Sequence, residues 1–406
     1  QTEVQLIKAD AVQTVDIANS AVTDAKISAL TSSKLSGALP AISGASLTNL
    51  PASGKAHNLV INGAMQVAQY GLSSDEDGYN TCDRFRYDKS GTDNNPTQAQ
   101  VDVASGTTPY TLGFRKAFKL TNGNQSSGAG ANDLIAIKTR LEAQDIANSG
   151  WNYTSTSSYI TLSFWVKSSV AQNFYGYIRS YDGTSYLYPF ETGSLSANTW
   201  TKVTKTIPGN SNLQFDNDAN LGLEIDIVQF YGTTYTDPGV SLNTWQTVSN
   251  YTPNNTSTWY TTNDATFEIT GVQLEVGSVA TDFEHRSFGQ ELDLCQRYYF
   301  RIPYQGIASD GGVLIGTGKE TGSSARVCVV FPQTMRAVPS CAASNLLADD
   351  ESSATSANTI NQVLASTTEP DRGRIQFTGG SYSSANSISL ATGQATAAYL
   401  EGSAEL

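Results

Sequence analysis

Beyond about residue 57 the chain is written in short runs of alternating apolar and polar positions. Ile160, Leu162, Phe164 and Val166 alternate with Thr161, Ser163, Trp165 and Lys167. Phe174, Gly176 and Ile178 alternate with Tyr175, Tyr177 and Arg179, and Leu221, Leu223, Ile225 and Ile227 repeat the pattern. A period of two sends alternate side chains to opposite faces of a pleated strand, so each run predicts a half-buried β-strand. Turn chemistry separates the runs at Asp182-Gly183, Pro208-Gly209-Asn210 and Asp237-Pro238-Gly239,. Strands at this spacing, without helical periods between them, predict an all-β β-sandwich of jelly-roll type over residues 57–286.

Near the end of that region the phase flips. Phe267-Glu268-Ile269-Thr270 alternates one way and Val272-Gln273-Leu274-Glu275-Val276 the other, so Gly271 at the switch predicts a β-bulge,. The spacing of Ser287 and Gln290 then matches a capping box, and Phe288, Leu292, Cys295 and Tyr299 fall on one helical face,. This predicts one short connecting helix over residues 287–300, packed against a neighbour. Residues 301–406 return to β texture, with strands expected at 326–331 and 374–377, and form a C-terminal β-sandwich-like domain.

The first 56 residues follow a different rule. Ala11 to Ile17, Ala21 to Ile27 and Ala29 to Leu35 share one spacing of small, polar, charged and aliphatic positions. Segments with so few aliphatic side chains do not offset about 1–2 kcal/mol per residue of backbone ordering unless neighbouring chains share the burial. The repeats therefore predict an extended stalk of several identical chains, and residues 9–52 would reach on the order of 140 Å if fully extended. Pro40 and Pro51 suit a narrow spiral better than a helix,.

Composition narrows the function. Of 406 residues only 15% are charged, and the formal net charge is −13 with no basic run, which argues against a phosphate-backbone partner,. No stretch reaches the 18 or more apolar residues of a membrane helix, and nothing at the start reads as a signal peptide, so a soluble protein that is not Sec-exported is expected. Cys82, Cys295, Cys328 and Cys341 are scattered and are expected as buried free thiols,. With only His57 and His285, zinc chemistry and a Ser-His-Asp triad have little to draw on, and no catalytic activity or required cofactor is predicted,. Asp75, Glu76 and Asp77, or Asp216 and Asp218, offer calcium ligands or simply solvated loop charge,.

Several blocks resemble fibre and receptor-binding proteins of tailed bacteriophages. Asn58 to Met65, followed by Cys82-Asp83-Arg84-Phe85, resembles the opening of their carbohydrate-binding-like jelly-roll module, with Phe85 where the family often has Trp. Thr161 to Lys167 and Trp200 to Val203 resemble its central strand and hairpin. The longest block runs from Phe267 through Gly277, Phe283-Glu284-His285-Arg286-Ser287 and Glu291-Leu292 to Cys295-Gln296-Arg297-Tyr298-Tyr299. Phe331 to Pro339 and the closing Ala404-Glu405-Leu406 are similar as well.

The resemblance implies a homotrimeric, adhesive structural fibre of the virion, assembled in the host cytoplasm and joined to another virion protein through its N-terminal segment. It implies attachment to host surface polysaccharide or lipopolysaccharide, with a head-decorating fibre as the alternative and a polysaccharide depolymerase as a third reading. Sugar recognition needs flat apolar faces beside amides and carboxylates, and the chain holds 20 Tyr and 5 Trp,. Tyr175, Tyr177, Tyr181, Asp182 and Tyr186 form one candidate cluster; Trp245, Trp259 and Tyr260 form another. Such aromatics also fill strand faces and contacts between protomers.

Overall fold

The computed structural model of the chain describes residues 58–303, 314–320, 324–344, 346–349, 354–356, 359–364, 372–378, 387–392 and 399–406. The chain divides into two units, Gln1–Leu50 and Pro51–Leu406. The expected stalk lies outside the described residues.

The alternating runs build two six-stranded antiparallel sheets. Their strands are β1 (Ser73–Ser74), β2 (Phe85–Ser90), β3 (Thr97–Asp102), β4 (Lys116–Thr121), β5 (Leu134–Glu142), β6 (Tyr159–Ser168), β7 (Asn173–Ser180), β8 (Tyr186–Ser194), β9 (Thr201–Pro208), β10 (Leu221–Tyr231), β11 (Gln246–Thr247) and β12 (Thr266–Val276). The first sheet has the order β1-β3-β4-β12-β6-β9 and the second β11-β8-β7-β10-β5-β2. Apolar residues of both sheets meet in one core: Ile160, Leu162, Phe164 and Val166 from β6, Phe174 and Ile178 from β7, and Leu223, Ile225 and Ile227 from β10. The alternate residues, Trp165 among them, face outward. At the phase flip the β12–β6 register shifts between Thr270 and Gln273, and Gly271 takes φ +64°, so the expected bulge is present.

The connecting helix spans Phe288–Gln296 and carries the full Ser287/Gln290 capping box. It is shorter than the periodicity suggests, because Tyr299 already belongs to β13 (Tyr299–Pro303). Its expected apolar face is also incomplete. Cys295 is buried, but Phe288 at the first helical position is 56% exposed.

The C-terminal part adds β14 (Leu314–Glu320), β15 (Ser324–Val330), β16 (Ser340–Ser344), β17 (Leu346–Asp349), β18 (Ala354–Ser356), β19 (Thr359–Leu364), β20 (Arg372–Thr378), β21 (Ser387–Thr392) and β22 (Tyr399–Ser403). Seven of these form a sheet of order β18-β17-β21-β14-β15-β20-β19, and β22 lies between β13 and β16. A small core gathers Phe300, Val329, Phe331, Met335 and Leu400. Cys82 and Cys295 are buried free thiols as expected, whereas Cys328 is exposed: β15 alternates, and its inward positions are taken by Val327 and Val329.

The blocks that carry the family resemblance become the seams of this unit. Asn58 donates from Nδ2 to the Val272 carbonyl at 3.0 Å and accepts from the Leu274 amide at 3.0 Å, which fastens the entering chain to β12. Asn62 donates to the Val67 and Asp83 carbonyls, both at 2.8 Å. Arg297 grips Glu142 through Nε and Nη2 at 2.7 Å each. Buried Arg84 pairs with Glu405 and lies 3.4 Å over the ring of Tyr298. Arg336 donates to the carbonyls of Ala404, Glu405 and Ala219. The closing residues thus return to the sandwich, where Arg140 donates to the Leu406 carbonyl at 2.6 Å.

Candidate functional site

The outer face of the second sheet carries the first aromatic cluster. Strand register sets Glu191, Tyr175, Val228, Ala136 and Asp88 in one row across it. Pro189, Tyr177, Asp226, Lys138 and Arg86 follow, and then Leu187, Arg179, Glu224 and Arg140. Tyr175, Arg179 and Tyr181 are half-buried, so each shows part of its side chain to solvent. Arg179 lies 4.5 Å over the Tyr181 ring, and the Tyr181 hydroxyl donates to Glu224 at 2.8 Å. Asn173 donates to Glu191 at 2.9 Å beside Tyr175. The result is Tyr175 with an amide and a carboxylate beside it, and a stacked Arg179–Tyr181 pair, separated by the row of Tyr177, over which Tyr251 packs.

Beneath these groups lies a buried charge ladder. Lys138 reaches Asp88 at 3.2 Å, Asp226 at 3.6 Å and Glu224 at 3.9 Å, and Arg140 bonds Glu224 at 2.7 Å. Burial alone would raise the Glu224 carboxyl, but Lys138 and Arg140 outweigh it and hold the group at about 2. Burial, reinforced by the neighbouring Glu224, pushes Asp226 upward despite Lys138. Splitting of two carboxyl affinities is the signature of an acid–base pair. Here Glu224 and Asp226 are 1% and 0% exposed, so neither meets water or a polysaccharide, and the ladder is structural.

The other nominated residues are placed elsewhere. Tyr177 is on the same face but is 1% exposed, because the ring of Tyr251 stacks on it at 5.3 Å. Asp182 leaves the sheet and accepts from the Asp216 amide at 3.0 Å within the loops. Tyr186 packs at the margin of the main core, since it has the opposite phase to Leu187. Trp245, Trp259 and Tyr260 are core residues and not a loop cluster. Trp245 donates to the Pro208 carbonyl at 2.7 Å, Trp259 to the Thr266 carbonyl at 3.1 Å, and Tyr260 to Asp133 at 2.9 Å. Large amphipathic rings bury well when the polar tip finds such a partner. Among the described residues no three of His, Cys, Asp and Glu come together as metal ligands, so the acidic loop positions gain no support as a calcium site.

The first sheet holds an aromatic group that the sequence reading passed over. Trp165 sits on its outer face between Lys202 and Thr270 in register. Phe114, Phe283 and His285 stand beside it, their own ring centroids 4.9–5.1 Å from one another, and the His285 ring is bonded to the Leu112 carbonyl at 2.8 Å. They enclose a recess of about 240 Å³. The signal was present in the alternation, because Trp165 falls at an outward position of β6.

A scan against protein-family models finds no match, and a search of curated proteins finds none. Among solved structures, the chain is similar to the enzymatically active domain of tailspike protein 4 of bacteriophage CBA120, at 12% identity and a TM-score of 0.29. That match covers 54% of this chain and 21% of the tailspike domain, so the chain spans about a fifth of its length. The N-terminal cellulose-binding domain of Cellulomonas fimi β-1,4-glucanase C matches at 10% identity and a TM-score of 0.25, over 53% of this chain and 99% of that one. A xylan-binding domain from Paenibacillus barcinonensis matches at 11% and 0.25, over 53% and 100%. Scores this low carry no functional argument. The β-sandwich itself is read from its own strand order.

Proposed function

We propose that this chain is an adhesive fibre protein of a tailed-bacteriophage virion, trimeric through its N-terminal repeats, that holds glycan chains of the host surface. The observation that carries the adhesive part is the group of half-exposed side chains, Tyr175, Arg179 and Tyr181, that the outer face of the second sheet presents to solvent on either side of the buried Tyr177. Half-exposed rings suit the apolar faces of sugars, and the flanking Asn173 and Glu191 suit their hydroxyls. The virion context rests on the resemblance blocks and on the repeats of residues 1–56. Trimerisation raises weak contacts to useful strength through effective concentration, so no single site needs high affinity.

Two measurements test this. Light scattering on the full chain is expected to give three chain masses; a monomer would remove the shared-core stalk. An array of bacterial surface polysaccharides is expected to show binding that weakens in Tyr175→Ala. Absence of binding on the array would leave the decorating-fibre alternative. Release of reducing ends from a bound polysaccharide would favour the depolymerase instead.

A further inference from the structure

We infer that the recess over Trp165 is a second carbohydrate site, on the opposite sheet from Tyr175 and Tyr181, and that it takes a single neutral pyranose ring. The inference rests on the glycan-adhesion reading for the class of ligand. Its geometry is independent of that reading.

The construction begins in β6 and β12. The outward phase of β6 places the Trp165 indole on the sheet face, and the β12 bulge removes a side chain that would otherwise cover it. A Cβ added at Gly271 would lie 2.7 Å from the Phe114 ring and 3.2 Å from the Trp165 indole, so a glycine at this point keeps the recess open. After β12 the chain brings Phe283 and His285 to the recess beside the indole, while Phe114 arrives from the segment that precedes β4. Contacts between these rings and the His285–Leu112 hydrogen bond hold the walls in place without a ligand.

The chemistry is that of a sugar site. An indole face offers an apolar plane to the C–H face of a pyranose. Lys202 and Asp282 stand at the rim, and both are exposed to solvent. An ammonium donates to ring hydroxyls and a carboxylate accepts from them. One cation with one anion gives a rim of no net charge, which favours a neutral sugar over a uronic or sialic acid. The volume, about 240 Å³, suits one ring and not a chain. A terminal residue, or a single-sugar branch, fits the recess.

The test uses the full chain and five probes: the methyl glycosides of glucose, galactose, mannose and N-acetylglucosamine, and methyl glucuronide. Tryptophan emission is a suitable readout, because Trp151, Trp245 and Trp259 are buried while Trp165 and Trp200 are partly exposed. At least one neutral glycoside is expected to shift the emission saturably. Chemical-shift mapping should place that binding at Phe283 and His285. Trp165→Ala and, on the exposed rim, Asp282→Asn are each expected to weaken binding about tenfold or more, whereas Tyr175→Ala leaves it unchanged. The inference is overturned if polysaccharides bind but none of the glycosides does, if binding survives both recess variants, or if the glucuronide is preferred. Failure of glycosides and polysaccharides alike would remove the adhesion reading together with the recess.

Discussion

The seam around Arg84 and the solvent-exposed parts of the two outer sheet faces use polar chemistry in different ways. At the seam, charged and amide groups are buried and bonded to partners far away in sequence, as with Arg84 and Glu405 or Asn58 and Val272. The second sheet's outer face has its own buried, paired ladder in Lys138, Asp226 and Glu224, but Tyr175, Arg179 and Tyr181 stand half-open, and Lys202 and Asp282 are exposed at the rim of the Trp165 recess. The seam closes a fold, because a buried ion is tolerable only when its partner is held in place. The faces keep hydrogen-bonding capacity for something else. The resemblance blocks serve both regions: Asn58, Arg84 and Arg297 fasten the seam, while Trp165, Gly271, Phe283 and His285 line the recess.

Breaking the seam has the largest expected effect. Arg84→Ala leaves Glu405 buried without its cation and is expected to cost about 3–5 kcal/mol, read as a loss of denaturant midpoint. Little change would mean that the closing residues are not fastened as described.

Gly271→Ala tests whether the bulge serves the recess. The new side chain needs a left-handed backbone and meets the Phe114 ring, for an expected loss of about 1–3 kcal/mol together with loss of glycoside binding,. Unchanged binding would separate the bulge from the site.

The seam should also show itself in pH dependence. Burial lifts the Asp83 carboxyl to about 7, against the hydrogen bonds it accepts from Gln69. The folded chain therefore keeps a proton that the unfolded chain releases near pH 4, and stability from this group falls as pH rises from about 4 to about 7. Thermal unfolding of Asp83→Asn across that window should lack this slope relative to the parent chain. The same slope in both proteins would assign it to other groups.

On the faces the effects are smaller and fall on binding. Tyr175→Ala is expected to weaken polysaccharide binding up to about tenfold with an unchanged unfolding midpoint. Phe288→Ser, at an exposed helix position, should alter stability by no more than about 0.5 kcal/mol and binding not at all, which calibrates the comparison.

Much of the sandwich was legible in the chain. The β6 run predicted Ile160, Leu162, Phe164 and Val166 as core, and all four are fully buried. The phase flip located the bulge, and the Ser287–Gln290 spacing located the helix cap. These features depend on local geometry, where period and capping are decided within a few residues. The candidate site was far less legible. Tyr175 and Tyr181 do show on an outer face, yet Trp259 and Tyr260, from an equally polar stretch, are core residues.

That division has a physical cause. Alternation, turn chemistry and capping are short-range, so the order of strands along the chain, the face each residue takes and the places where the phase changes can all be worked out from neighbours in sequence. Whether an outward residue is then covered depends on segments that return from far away. Tyr251 shuts Tyr177 from solvent, while Phe114 and Phe283 stand beside Trp165 and leave a recess. Only the folded chain decides between those two outcomes, because each is a packing contact between residues that the sequence keeps some fifty or more positions apart.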